Sequence, residues 1–169
     1  MHGYLLDTNI VAYWHDARRP EHARVLQRIA ALPEEAPLMI SAITLGEIEF
    51  GLRVSDGNPL EHEFFRAFIE TNLPMVLDVT KTTRIYYGLP RAGVFEKYAP
   101  RTKRRRGLRH EQLIDPITSR ELGIQENDLW IAAQALEHNL ILVTHDKMER
   151  IQGVCEELQI EDWTAEIDE

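Results

Sequence analysis

Four acidic side chains stand where short apolar runs end, or on or at the start of helical patterns, and together their types could do chemistry. Asp7 closes the run "YLLD", and Asp146 follows "LILVT". Glu47 sits in "SAITLGEIEFGL", about two turns past Ser41 and next to Gly46, whose missing side chain leaves the helix surface open. Asp128 opens "NDLWIAAQAL", where Ala132, Ala133 and Ala135 permit close packing on a sheet. Taken singly, each has a plainer explanation. Asp7 and Asp146 can cap the helices that follow them, Asp128 can be a first-turn acid favoured by the helix dipole, and Glu47 can face solvent as Glu49 does. Taken together, four acids at one sheet edge would repel and raise one another's pKa values without a cation. A donor set of carboxylate oxygens, with no Cys or His, suits Mg²⁺ or Mn²⁺.

The elements that must position these acids are legible as alternating patterns. Strand expectations fall on Tyr4–Leu6, Leu38–Ile40, Met75–Leu77, Leu140–Val143 and Glu157–Ile160. Helix expectations fall on Ile10–His15, Glu21–Leu32, Ala42–Leu52, Leu60–Thr71, Lys81–Leu89, Leu129–His138 and Lys147–Ile151. Ser41 and Thr80 are N-cap candidates, and Gly51, Gly88 and Gly153 are candidate stops. Alternation of this kind implies parallel pairing through right-handed crossovers, hence an α/β sandwich. In such a sheet, ligands bind beyond the carboxyl ends of the strands, where Asp7 and Asp146 stand. No repeat or linker divides the chain, so one domain is expected over residues 1–169. Residues 90–119, rich in Pro, Gly and Arg, read as a basic insertion or mobile loop.

Composition narrows the function. The chain has 169 residues, 44% hydrophobic and 28% charged, enough for one domain with its own core. No apolar stretch approaches a membrane span, and the start "MHGYLLDTN" lacks the basic region of a secretory signal. A single cysteine, Cys155, rules out a disulfide framework, and the expected compartment is the cytoplasm. The seven histidines make no zinc-finger spacing, and no Walker loop, GxGxxG or GxSxG occurs. Net charge is −9, yet the stretch Arg91–Arg109 carries eight basic residues against one acid, leaving −16 on the remainder. An acidic body with one basic segment fits two ligand types, cations for one and phosphates for the other. A solvated basic loop is the plainer alternative.

The motifs "LLDTNI", "ITLGEIEFGL", "ENDLWIAAQALEHNLILVTHD" and "LQIEDW", in this order and spacing, resemble PIN-domain ribonucleases, most nearly the VapC-type toxins of type II toxin–antitoxin systems. The resemblance covers nearly the whole chain and fails around residues 90–119. It implies a three-layer α/β/α sandwich with a central parallel sheet of order 3-2-1-4-5. It also implies a metal-dependent endoribonuclease whose catalytic and metal-holding acids match Asp7, Glu47, Asp128 and Asp146. The family often carries a further acid a few residues past the strand that ends "LVT", and here Glu149 stands at that place, so Asp146 and Glu149 compete for the fourth role. Asp146, nearer the strand end, is the preferred reading. Thr8, Asn9 and Thr144 match residues that orient carboxylates or bound water, although Asn9 serves equally as a turn residue. His145 reads as a surface histidine.

With Mg²⁺ or Mn²⁺ at these acids, water-activated in-line hydrolysis of a phosphodiester would leave 3′-hydroxyl and 5′-phosphate ends without using a 2′-hydroxyl. The RNA preference comes from the family. Arg101, Lys103, Arg104, Arg105, Arg106 and Arg109 are candidates for RNA contact, with Tyr86, Tyr87, Phe95 and Tyr98 as stacking candidates. The same run equally suits an acidic protein partner. The resemblance further implies homodimerisation and a cognate antitoxin, with the helices Glu21–Leu32 and Leu60–Thr71 as contact candidates. Rival folds fit less well. A haloacid-dehalogenase-type phosphatase wants an Asp where Asn9 stands, and a response-regulator receiver wants paired acids that "MHGYLLD" lacks. A catalytically silent PIN-like module that binds RNA or protein is the alternative from another class.

Overall fold

The computed structural model describes residues 3–100, 108–146 and 148–166. Five short strands, β1 (Tyr4–Leu6), β2 (Leu38–Ser41), β3 (Met75–Leu77), β4 (Ile141–Val143) and β5 (Gln159–Glu161), form one sheet of order β3-β2-β1-β4-β5. All pairings are parallel, with Leu5 opposite Met39 and Leu142, and Leu6 opposite Ile40 and Val143. This is the strand order that the resemblance implies. β1 is central, so both its faces must be apolar, and the continuous Leu5-Leu6 pair supplies that.

The helices are α1 (Thr8–His15), α2 (His22–Ala31), α3 (Ala42–Val54), α4 (Pro59–Asn72), α5 (Thr83–Tyr98), α6 (Glu126–His138) and α7 (Glu149–Gln152), with a 3-10 turn at His110–Gln112. Successive strand side chains point to opposite faces, and the two cores divide accordingly. Leu5 and Leu142 pack on one face with Val94, Leu129, Ala132 and Ile151. Leu6, Ile40 and Val143 pack on the other with Ile10, Val11, Val25, Ile48 and Trp163. Full burial of each such leucine contributes roughly 2 kcal/mol. Ala132 and Ala133 are fully buried in α6, which lets that helix lie close against the sheet. No helix among the described residues is long and apolar enough to cross a membrane.

The structure departs from expectation at α5. The helix expected over Lys81–Leu89, with Gly88 as its candidate stop, runs on to Tyr98 with Pro90 inside it. A proline costs a helix about 3 kcal/mol in isolation. Here Pro90 and Val94 are buried, and Tyr87, Phe95 and Tyr98 pack on the same core, so tertiary burial along one helical face outweighs the local penalty. Gly51 likewise lies within α3, whereas Gly153 does end α7. The part of residues 90–119 expected to be irregular therefore begins as helix. Beyond it, Leu113 and Leu122 are buried, and Ile114 bridges to Glu121 in antiparallel fashion. Asp115 Oδ1 accepts from the backbone N–H groups of Ile117 and Thr118, which closes the turn between them.

Candidate active site

Three of the four acids are placed by the end of an element, and Glu47 by the body of α3. β1 ends at Leu6, and Asp7 turns the chain into α1, its Oδ1 accepting from Thr8 N at 2.7 Å. Asp7 is thus the helix cap that its position allows, but only one of its oxygens is used so. The other accepts from Thr144 Oγ1 at 2.7 Å, and Asp7 N donates to Val143 O, so the ends of β1 and β4 are tied together. Ser41 caps α3 through Ile43 N, which fixes the phase that brings Glu47 to the same edge. Asp128 stands in the first turn of α6 and spends Oδ2 on Gln125 N at 2.8 Å.

Uncharged donors hold the group together. Glu47 accepts from Thr8 Oγ1 through Oε2 and from Asn127 Nδ2 through Oε1 at 2.7 Å. Asn9 Nδ2 donates to Asp146 Oδ2 at 3.0 Å and lies 3.4 Å from Asp7 Oδ2, while its own Oδ1 accepts from His145 N. Asp146 N donates back to Thr144 Oγ1. No Lys, Arg or His among the described residues forms an ion pair with any of the four carboxylates. Arg150 lines a 280 Å³ cavity with Asp128 and Asp146. Its guanidinium, however, bonds the Glu121 and Leu122 carbonyls and lies 3.5 Å from Asp115.

Burial and mutual repulsion leave an electrostatic signature. Asp7, 4% exposed, has its pKa raised chiefly by desolvation; hydrogen bonds from Thr144 and Thr8 oppose this, and Asp146 and Glu47 add to it. Asp128 is pushed up to about 6, first by burial and then by Asp7, Asp146 and Glu47, against the Gln125 hydrogen bond. Carboxylates so arranged hold more negative charge than their surroundings neutralise, which is the condition a bound cation relieves. No three of the four acids bring their oxygens within 4.8 Å of one another, and hydroxyl and amide groups bond to them instead.

Residues 4–153 match the family model of the PIN domain. The chain belongs to the PIN domain family. It is 30% identical over 162 residues to Ribonuclease VapC1 of Haemophilus influenzae (strain R2866), covering 95% of this chain and 98% of that relative. Its fold is similar to that of VapBC-1 from nontypeable Haemophilus influenzae, at 26% identity and TM-score 0.65, over 96% of this chain and 98% of that one. It is similar in fold to VapBC2 from Rickettsia felis bound to a promoter DNA fragment, at 24% identity and TM-score 0.66, over 95% and 98% of the two chains.

Within this PIN domain, Glu149 lines a cavity with Thr144, His145, Asp146, Gln152 and Asp162, whereas Asp146 also lines the cavity that holds Asp128. Asp146 is among the charges that raise Asp128. His145 points to Asp162 and Thr164, 3.1 and 2.6 Å from its Nδ1, a surface role. Tyr87 stacks on Trp130 at 3.9 Å and donates to Glu126, which occupies a ring proposed for base stacking. Arg101, Lys103, Arg104, Arg105 and Arg106 lie outside the described residues; Arg109 donates its backbone N–H to Gln112 Oε1. Sequence reasoning passed over Asn127, which fixes Glu47 from the residue next to Asp128. It also passed over a 730 Å³ cleft that runs from Thr8 and Glu47 past His15, Arg18, His62 and Phe65. Asn127 stands inside a quoted motif, but only the α3–α6 approach shows what its amide reaches.

Proposed function

We propose that this protein is a Mg²⁺- or Mn²⁺-dependent endoribonuclease of the cytoplasm, the toxin of a toxin–antitoxin pair. The observation that carries this reading is the gathering of Asp7, Glu47, Asp128 and Asp146, from four separate stretches of sequence, among uncharged donors only. The oxygen-only donor set fits Mg²⁺ or Mn²⁺, with Asp7 as the central ligand and Asp128 and Asp146 beside it. Such an ion supplies a lowered pKa for bound water and neutralises charge on the transferring phosphoryl group. Thr8 N and Thr144 Oγ1 hold both Asp7 oxygens, so the carboxylate cannot rotate away from the strand ends. Asn127 and Thr8 hold Glu47 in one rotamer, from which it orients the attacking water. Asn9 keeps Asp146 facing Asp7.

RNA would enter along the cleft past His15 and Arg18, and the basic run Arg101, Lys103, Arg104, Arg105, Arg106 with Arg109 would attract its phosphates toward an acidic body. A relative is named as a ribonuclease and a solved neighbour is a VapBC complex, which supports an antitoxin as partner. Phe50 and Val54 on α3 and Leu60 and Phe64 on α4 are exposed by 58–70%, an apolar surface suited to such contacts. The test is RNA incubated with the purified chain and Mg²⁺ or Mn²⁺, with Asp7→Asn as control. Products with 3′-hydroxyl and 5′-phosphate ends are expected from the wild type, and equal cutting by the control would sink the reading.

A further inference from the structure

A second ligand centre lies on the other side of the α6 N-terminus. His110, in the 3-10 turn, is fully buried, and neither of its ring nitrogens has a hydrogen-bond partner. Its Nδ1 is 3.4 Å from Glu126 Oε2, and its Nε2 is 3.4 Å from Glu111 Oε1. A neutral imidazole has one donor and one acceptor nitrogen, but carboxylates only accept, so at least one ring nitrogen faces oxygen lone pairs with nothing between. A buried polar atom left in that state costs about 1–3 kcal/mol.

The distances also discriminate. Charge-assisted hydrogen bonds draw N and O to about 2.7–2.9 Å. Two ligand atoms on a tetrahedral ion with bonds of about 2.0–2.1 Å sit roughly 3.4 Å apart, the separation of Nδ1 from Glu126 Oε2; Glu111, now against Nε2, must rotate toward Nδ1 to complete the set. One nitrogen of His110 and one oxygen from each of Glu111 and Glu126 lie within 4.8 Å of one another, and this trio is the group with that property among the described residues. Both glutamate side chains are about two-fifths exposed, 43% and 40%, so small rotations can close them on an ion while the ring stays fixed.

We propose that His110, Glu111 and Glu126 form a site for a zinc-class divalent ion, distinct from the all-oxygen site of the four acids. An imidazole with two carboxylates leaves a fourth position for water and favours Zn²⁺ or Co²⁺ over Mg²⁺. Neighbouring groups already orient Glu126: Tyr87 Oη donates to its Oε1, and Arg91 lies 3.5 Å from the same oxygen. That leaves Oε2 for the ion, the supporting arrangement that metal-binding carboxylates use. The ion would clasp the 3-10 turn to the first residue of α6, one position before Asn127.

The experiment needs no RNA, so its outcome is independent of the nuclease reading. Metal-stripped full-length Asp7→Asn protein is titrated with Zn²⁺ by calorimetry and with Co²⁺ by visible absorption. One equivalent with the intense bands of low-coordinate Co²⁺ is expected, and Zn²⁺ should raise the melting temperature. Glu111→Gln, at an exposed position, should weaken Zn²⁺ binding by roughly tenfold or more, and His110→Gln should abolish the bands. Absence of a Zn²⁺ equivalent in the parent protein overturns the proposal, as does equal affinity in Glu111→Gln. A His110→Gln protein that melts normally and keeps the Co²⁺ bands would overturn it as well.

Discussion

The start of α6 separates two centres built on different plans. On one side Asp7, Asp128 and Asp146 sit at the ends of strands or the start of a helix and Glu47 on the body of α3, with oxygen donors only and neutral neighbours. On the other, a buried imidazole faces two half-exposed glutamates from a 3-10 turn. Strand ends in a parallel sheet are fixed by their ladders, so the first centre is preorganised by the fold itself. The second depends on a turn whose position the core residues Leu113 and Leu122 must hold. One helix terminus can therefore serve a rigid acid cluster and a softer nitrogen-bearing site, because neighbouring residues of its first turn point to different sides.

The largest expected effect breaks the acid cluster. Asp7→Asn keeps the shape and the cap but removes the central charge, and RNA cleavage in Mg²⁺ should fall by about 10³-fold, a loss of several kcal/mol of charge stabilisation. Assays of the purified variant should show this with the fold intact by circular dichroism.

The next effect concerns stability. Asp128 has a folded pKa of about 6 against an ordinary 3.8, so between these values the folded chain binds more protons than the unfolded one. Stability of the metal-free protein should therefore fall as pH rises from about 4 to 6 and stay lower above, by at most roughly 3 kcal/mol. Asp128→Asn should flatten that profile in denaturant melts, and Mg²⁺ should restore wild-type stability at pH 7 more than at pH 5. A profile unchanged by the substitution would mean that burial and the neighbouring carboxylates do not raise Asp128 as described.

Freeing Glu47 sharpens the contrast further. Asn127→Ala removes the amide that holds Oε1 and should lower cleavage by about tenfold, with the loss in kcat more than in KM. The smallest effect lies in the basic run. Replacing Arg104, Arg105 and Arg106 with Gln should lessen the salt dependence of RNA binding by about two units of log–log slope. An unchanged slope would make that run a solvated loop.

Much of this molecule is written locally. Tyr4–Leu6 ends in a carboxylate that must either cap or bind, and it does the first while facing the other acids. Ser41 caps α3 as its residue type predicts, and the five short apolar runs become five strands. The errors fall where a local rule meets a tertiary one. Pro90 breaks helices only when nothing repays its lost hydrogen bond, and burial beside Val94 does so. Asn127 and His110 were invisible for a related reason: their partners, Glu47 and Glu126, lie far along the chain, and no period or spacing encodes those distances.

What the sequence determined by itself was the alternation of strand and helix, and with it the edge at which acids after β1 and β4 must collect, because a parallel sheet puts all its strand ends on one side. What only the tertiary structure decided was which neighbours those acids meet. Side chains brought together across loops are selected by packing of the two cores, and packing is a property of three-dimensional contact, not of order along the chain.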